Sequence, residues 1–206
     1  MSEREDPAQP LLLASASPRR RELLRRLGWA IELHPVTIDE NVLENEEGAA
    51  AVLRLAQQKA LRALSERPGR VILAADTLVV CQGQVLGKPV DAASAHKMLR
   101  TLSGRWHEVI TGLALLDARG KLHADLSRTK LRFAKLPEEE ILSYLRGTEP
   151  YDKAGAYAIQ GAAGWFIEEI RGSASNVVGL PYETLRRLIA LAGIKGPSLQ
   201  PRDVEG

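Results

Sequence analysis

Leu11-Leu-Leu-Ala-Ser15-Ala-Ser17-Pro18-Arg19-Arg20-Arg21-Glu-Leu23-Leu24-Arg-Arg-Leu27-Gly28 is the stretch from which the fold class follows. Its apolar opening, residues 11–14, predicts a short buried strand. That run stops at Ser15-Ala16-Ser17-Pro18, where Ser17 suits an N-cap and Pro18 the first helical position. Leu23, Leu24 and Leu27 then form an apolar helical stripe, and Gly28 is placed to end the helix. Arg19, Arg20 and Arg21 crowd the first turn. The positive end of the helix dipole lies there and disfavours each by about 0.3–1 kcal/mol at low salt. A bound anion reverses the penalty: free amides, the hydroxyls of Ser15 and Ser17 and a guanidinium fork would together receive phosphate. A solvated basic face is the plainer alternative, and the strand-to-helix setting favours the anion.

Outward from this unit, strand and helix alternate. Strands are predicted over residues 30–34, 71–80 and 165–170, and helices over 18–27, 48–65, 91–102, 137–145 and 181–192. Gln82-Gly83-Gln84 reads as a hairpin turn into Val85-Leu86, and residues 109–117 and 122–136 as a long hairpin around Arg119-Gly120. Such βα units combined with a long hairpin imply an α/β fold with a mixed sheet. Residues 1–10 and 196–206 are expected as flexible tails of a single domain spanning 11–195.

The composition sets limits. The chain has 206 residues, 45 % hydrophobic but only 4 % aromatic, so aliphatic and Ala packing must build the core. A net charge of +2 is too small to argue for a nucleic-acid or membrane partner. One cysteine, Cys81, excludes an internal disulfide and suits a reducing cytoplasm. No apolar run approaches the roughly 20 residues of a membrane helix, and no signal peptide is apparent. A cytoplasmic protein is expected. Arg is the default surface cation, so a Lys inside a motif stands out.

Asp76 lies in the middle of an apolar strand run, where an unpaired carboxylate costs roughly several kcal/mol. It must face a cation, a metal or a wet cleft, as metal ligand or general base; a structural ion pair or a bulge is the alternative. Lys59 falls inside the apolar stripe of Val52, Leu55, Ala56, Ala60 and Ala63, and either snorkels out or reaches a phosphate. Lys88, in Gly87-Lys88-Pro89, is a second such lysine. Asp39-Glu40 either helps hold Mg²⁺ or forms a solvated turn. The segment 152–161 is dense in small residues and lets backbone approach a planar base, with Gln160 reading its edge. Asn176 precedes the last helix and reads mainly as packing. His34, His96, His107 and His123 show no metal-ligand spacing, and His107 reads as a strand-end residue. With no Ser or Cys nucleophile dyad, the set suits metal-assisted attack of water on a phosphoanhydride.

Eight short motifs occur in order along the chain. They are Ser15-Ala-Ser17-Pro18-Arg19-Arg20, Ala75-Asp76-Thr77, Gly87-Lys88-Pro89, Leu102-Ser103-Gly104, Thr111-Gly112, Asp152-Lys153-Ala-Gly-Ala-Tyr157, Ile159-Gln160-Gly161 and Asn176-Val-Val-Gly-Leu-Pro181. Over residues 11–192 the chain thereby resembles the Maf family of nucleoside triphosphate pyrophosphatases. The resemblance implies an elongated α/β fold related to the inosine triphosphate pyrophosphatases, with two lobes around a central cleft. It implies cleavage between the α and β phosphates with a divalent cation, Mg²⁺ or Mn²⁺, and so removal of triphosphates before misincorporation into nucleic acid. Asp76 would accept the proton and, with Glu40, hold the metal. Ser15, Ser17, Arg19, Arg20, Lys59 and Lys88 would hold phosphates, while Arg19, Thr77 and Gln160 would mark base selectivity. That combination resembles the dTTP/UTP branch rather than the 7-methyl-GTP branch, which carries Trp at the first of these positions and Gln after the acid. Two departures stand out: Ser173-Ala174-Ser175 where many relatives carry an aromatic, and Ala158 for a common Gly. A nucleotide-sensing regulator of cell division or septum formation is the rival from a different class, and a nucleic-acid binder using residues 19–26 a weaker one. Monomer and homodimer both stay open.

Overall fold

β1 (Leu11–Leu13) runs between two parallel neighbours, β2 (Ile31–Leu33) and β3 (Ile72–Cys81), in a computed structural model that describes residues 9–197. Of the expected tails, residues 1–8 and 198–206 lie outside the described residues. β3 pairs antiparallel with β5 (Trp106–Leu116), and β5 with β6 (Leu122–Phe133), which is the long hairpin read from sequence. With β7 (Ile167–Arg171) the order is β2-β1-β3-β5-β6-β7. β4 (Gln84–Leu86) folds back on the end of β3. Gln82 and Gly83 connect them with φ of 52° and 77°, the two positive angles that a right-twisted two-residue hairpin needs.

Two helices join the parallel strands: α1 (Pro18–Arg26) leads from β1 to β2, and α2 (Gly48–Glu66) from β2 to β3. Ser17 caps α1, its side chain accepting from the Arg20 amide at 3.4 Å. α3 (Ala92–Leu102) starts with a reciprocal cap, in which Asp91 accepts from the Ser94 amide at 2.7 Å and Ser94 Oγ from the Asp91 amide at 3.0 Å. α4 (Glu138–Leu145), α5 (Ala174–Val178) and α6 (Tyr182–Ala192) complete the set. Among the described residues, no helix is long and apolar enough to cross a membrane.

Strand alternation sorts the core between the two faces of the sheet. Leu11, Leu13, Leu73, Ala75, Leu113 and Leu115 pack with Leu23 and Leu24 of α1 and Leu185 and Leu188 of α6. Leu12, Ala14, Ile72, Ala74, Ala114 and Leu116 meet Ala56, Ala60 and Ala63 of α2 on the other face. Small residues let α2 come close. A Cβ on Gly112 of β5 would stand 2.5 Å from the Val52 carbonyl oxygen, so only glycine permits this contact. A further cluster builds the second lobe, where Leu99, Leu102, Phe133, Ile141, Tyr144 and Phe166 pack around the far ends of β3 and β5. The mixed sheet and the two lobes agree with expectation.

Three local details differ from the sequence reading. Residues 174–178 form α5, too short to show a helical period. The small-residue segment 152–161 contains one 3-10 turn, Ala154–Ala156, and lies between two more, Glu149–Asp152 and Ala162–Phe166. The last of these delays β7 until Ile167 and leaves Trp165 84 % exposed.

Candidate active site

β1 is only a few residues long, and the chain leaves its carboxyl end toward β2 on one side while reaching β3 on the other. In open α/β sheets such a switch point opens a crevice past the strand end. β1 accompanies β3 only as far as Leu73, and β4 takes up pairing again at Val79. Asp76 and Thr77 sit on the stretch of β3 edge between. Being consecutive, they point to opposite faces of the sheet, yet both line one cavity of about 870 Å³. Ser15, Ser17, Arg19, Arg20, Glu40, Lys59 and Lys88 also line it.

On the α2 face, Lys59 answers the question that Asp76 poses. Its Nζ lies 2.6 Å from Asp76 Oδ1 and 2.7 Å from Glu40 Oε1, with the Lys59 and Asp76 side chains only 9 % and 11 % exposed. Lys59 therefore reaches inward along its stem rather than snorkelling out. Burial pushes the Glu40 carboxyl up, but the Lys59 hydrogen bond and the charges of Lys59, Lys88 and Arg20 outweigh this and hold it below the usual range. Two carboxylate oxygens converging on one cation form a hard donor pair that suits Mg²⁺ or Mn²⁺, with phosphates and water completing the shell. Among the described residues, no three His, Cys, Asp or Glu side chains stand close enough to hold an ion by themselves. The arrangement thus fits a metal shared with a phosphorylated substrate.

On the other face, Arg20 is buried at 9 % exposure and its fork meets neutral acceptors. Nε donates to the Gly179 carbonyl at 2.9 Å, Nη1 to Ser15 Oγ at 3.1 Å and Nη2 to Thr77 Oγ1 at 2.9 Å. Burial pulls its pKa down, opposed by the charge of Asp76. Two N–H groups remain beyond those three. Arg19 and Lys88 are more open to the cavity, at the first turn of α1 and just after β4. Ser15 Oγ, besides accepting from Arg20, accepts from the Ser17 amide at 3.2 Å and shapes the turn into α1.

Gln160 is the one candidate that stands away from this wall. It is exposed on the turn after Ile159, which does line the cavity. Sequence reasoning passed over Lys153 and Glu149. Lys153 lines the cavity, donates to the Glu149 carbonyl at 3.0 Å and pairs with Asp152. Its signal was available, a lysine inside a motif of an arginine-rich chain. The Glu149 carboxylate takes the Tyr144 hydroxyl at 2.7 Å and the Ala162 amide at 3.2 Å, and occupies the place where a Cβ on Gly161 would stand. No local signal marks it, because its partners come from α4 and from a turn beyond Gln160. Asn176 is a packing residue: its Nδ2 donates to the Val109 carbonyl and Thr129 Oγ1, both at 2.9 Å.

His107 proves to be buried beneath the cavity floor. Its Nε2 lies 2.8 Å from the hydroxyl of Tyr157, which lines the cavity, and its ring packs edge-on against Phe133 and Tyr157. Burial lowers its pKa from 6.5 to about 4. The unfolded chain therefore binds a proton at a pH where the folded one does not. The stability this neutral ring contributes is complete above pH 6.5 and is lost as pH falls towards 4, by roughly 3 kcal/mol in all. Urea titrations between pH 7 and 4 should show that slope, and His107→Gln should flatten it; an equal slope in the variant would contradict the assignment.

The profile of the family described as Maf-like protein matches residues 10–192. A dTTP/UTP pyrophosphatase of Anaeromyxobacter dehalogenans (strain 2CP-C) is 51 % identical over 197 residues, covering 94 % of this chain and 100 % of that one. One from Hahella chejuensis is 49 % identical over 189 residues, covering 90 % and 93 %. A HAM1 protein from Coxiella burnetii shares the fold, with a TM-score of 0.50 at 17 % identity over 89 % of this chain and 96 % of that one.

Proposed function

The chain belongs to the Maf-like protein family, and from that premise we propose that it hydrolyses dTTP and UTP to the monophosphate and pyrophosphate. The observation that carries the reading is the pairing of a buried Asp76–Lys59–Glu40 cluster with a wall of cations in one cavity at the end of β1. Relatives named dTTP/UTP pyrophosphatase align with almost the whole chain.

In this reading the triphosphate lies along the N-terminus of α1, its charge met by Arg19, Lys88, Lys153 and the free amides of the first turn. Arg20 adds its charge from beneath and holds Ser15 and Thr77 in place. Glu40 and Asp76 would hold a divalent cation, Mg²⁺ or Mn²⁺, which when bound neutralises charge on the phosphates. Asp76 accepts a proton from the water that attacks the α phosphate, and Lys59 holds its carboxylate in place. We place this activity in the cytoplasm, where the lone, buried thiol of Cys81 stays reduced. Cleavage to the monophosphate removes a triphosphate from the polymerase substrate pool.

Pyrophosphate release from dTTP, UTP, CTP, GTP, 7-methyl-GTP and ITP with Mg²⁺ tests the reading. Turnover of dTTP and UTP above the others supports it. Turnover of a purine in their place removes the pyrimidine assignment, and no turnover of any triphosphate shifts the weight to a nucleotide sensor. Chelation with EDTA should abolish activity and added Mg²⁺ restore it; full activity in EDTA would remove the metal from the scheme.

A further inference from the structure

Glu40 reaches Lys59 from residues 34–47, which join β2 to α2 without helix or strand. We infer that Arg54, which lies outside the cavity wall, clasps that loop so that the Glu40 carboxylate stands beside Asp76 before any cation arrives. This rests on the pyrophosphatase reading and adds to it a positioning residue, Arg54, together with its partner Glu46.

The loop is rich in acids and mostly exposed, and the Glu40 side chain itself is 52 % exposed. Val36 and Val42 give it apolar footholds. Among the described residues, the hydrogen bonds that tie residues 35–46 to the rest of the molecule end on two side chains of α2, Lys59 and Arg54. Arg54 Nε and Nη2 donate to the two carboxylate oxygens of Glu46, both at 2.7 Å, a fork-on-fork pairing that fixes direction as well as distance. Nη2 also donates to the Asn41 carbonyl at 3.0 Å. Nη1 donates to Gln58 Oε1 at 3.2 Å, which keeps the guanidinium on its own helix. Asn41 follows Glu40, and its amide is taken by Asp39 Oδ1 at 3.0 Å. Both backbone groups of Asn41 are therefore fixed, and Glu40 with them. Glu46 closes the far end of the loop. Its Oε2 accepts the Leu43 amide at 3.0 Å, in a turn where Asn45 takes a φ of 60° that asparagine tolerates.

The clasp orders a loop; it does not hold a core. The face of α2 that meets the sheet is built by Ala56, Ala60 and Ala63, and Arg54 is not among them. The Arg54 and Glu46 side chains are 24 % and 11 % exposed, sheltered enough to outdo a fully solvated surface pair. The Arg54 hydrogen bonds and the Leu43 amide pull the Glu46 carboxyl down to about 2, so the pair stays ionised through the neutral range. Opening it would free the backbone around Glu40. A cation would then have to order the loop as it binds, which weakens its binding and leaves the chemistry at Asp76 unchanged.

Arg54→Met tests this by steady-state pyrophosphate release from dTTP against Mg²⁺ concentration. The half-saturating Mg²⁺ concentration should rise by about tenfold or more, the scale for removing a group that orients a metal ligand, while kcat at saturating Mg²⁺ stays near wild type. Digestion by a glutamyl endopeptidase, without metal or nucleotide, gives a readout apart from activity. The loop contains Glu40, Glu44, Glu46 and Glu47, and cleavage there should be faster in Arg54→Met. Arg54→Lys keeps the charge, but a single ammonium cannot span Glu46 and the Asn41 carbonyl, so it should shift the Mg²⁺ dependence in the same direction. Wild-type Mg²⁺ dependence in Arg54→Met overturns the inference, as does loop cleavage no faster than in the wild type. So does a fall in kcat at every Mg²⁺ concentration, which would mean that the charge of Arg54, whose field reaches Asp76, acts there directly. Wild-type behaviour of Arg54→Lys overturns it for the same reason. If Arg54→Met does not fold, Glu46→Gln opens the clasp from the other side, with the same expectations and the same ways to fail. A wild-type protein that hydrolyses no triphosphate would sink the pyrophosphatase reading, while digestion still reports on the clasp. Hydrolysis of dTTP with unchanged Mg²⁺ dependence in the variants would sink this inference alone.

Discussion

Asp76→Asn should lower kcat on dTTP by at least about 10²-fold, the scale for removing a positioned acid–base group. Asparagine keeps the shape of the side chain and its place on β3, but it cannot accept a proton at neutral pH. It also withdraws one of the two anions that hold Lys59 Nζ, at 2.6 Å, and one of the two proposed metal ligands. Three roles therefore fail together, and kcat should fall much more than KM rises, since the substrate's phosphates are held elsewhere. Steady-state pyrophosphate release, with circular dichroism to verify folding, decides the matter. Turnover near the wild-type rate in a folded Asp76→Asn protein would remove Asp76 from the chemistry.

The second large effect is on stability. Lys59→Met should destabilise the fold by roughly 3–5 kcal/mol, the cost of stripping one partner from a buried ion pair. Asp76 is 8 % exposed, so without Lys59 its charge is left in the interior with the more distant fields of Arg20 and Arg54 to answer it. Glu40 turns to solvent and contributes little to the loss, its side chain being 52 % exposed. The melting temperature should drop by about 10 °C for a chain of this size. The double variant Lys59→Met/Asp76→Asn should recover much of that, because methionine beside a neutral amide leaves no buried charge. A single variant melting within about 2 °C of wild type would mean that the pair is solvated and not buried. Activity should not return in the double variant, which separates the structural share of the ion pair from the chemical one.

These two residues also show how far sequence could be read. Asp76 announced itself because a charge inside an apolar strand run is costly enough to demand an explanation. Its partner did not. Lys59 precedes Asp76 by 17 positions on a different element, and its place in an apolar stripe fitted a snorkelling side chain equally well. Only the packing of α2 on β3 and β5, made close by Gly112, shows that the stripe faces inward at that turn. The chain Arg20–Thr77–Thr111–Asn176 is of the same kind, joining α1, two strands and α5 across separations of 57, 34 and 65 residues. Its members were quoted in motifs, yet no motif states which hydroxyl gives its proton to which.

By itself the sequence determined the β1–α1 unit, the mixed sheet with its long hairpin, and the family. The signals for these are local: apolar runs, caps, turn residues, and motifs within a few positions of one another. The tertiary structure alone decided that Asp76 and Thr77, on opposite faces of one strand, open into the same cavity. It also decided that Gln160 stands outside the cavity wall while Lys153 lies within it, and that residues 174–178 coil into a helix. The physical reason is that side-chain partners, burial and hydrogen-bond direction belong to pairs of groups brought together by packing, and such pairs leave no mark on either segment read alone.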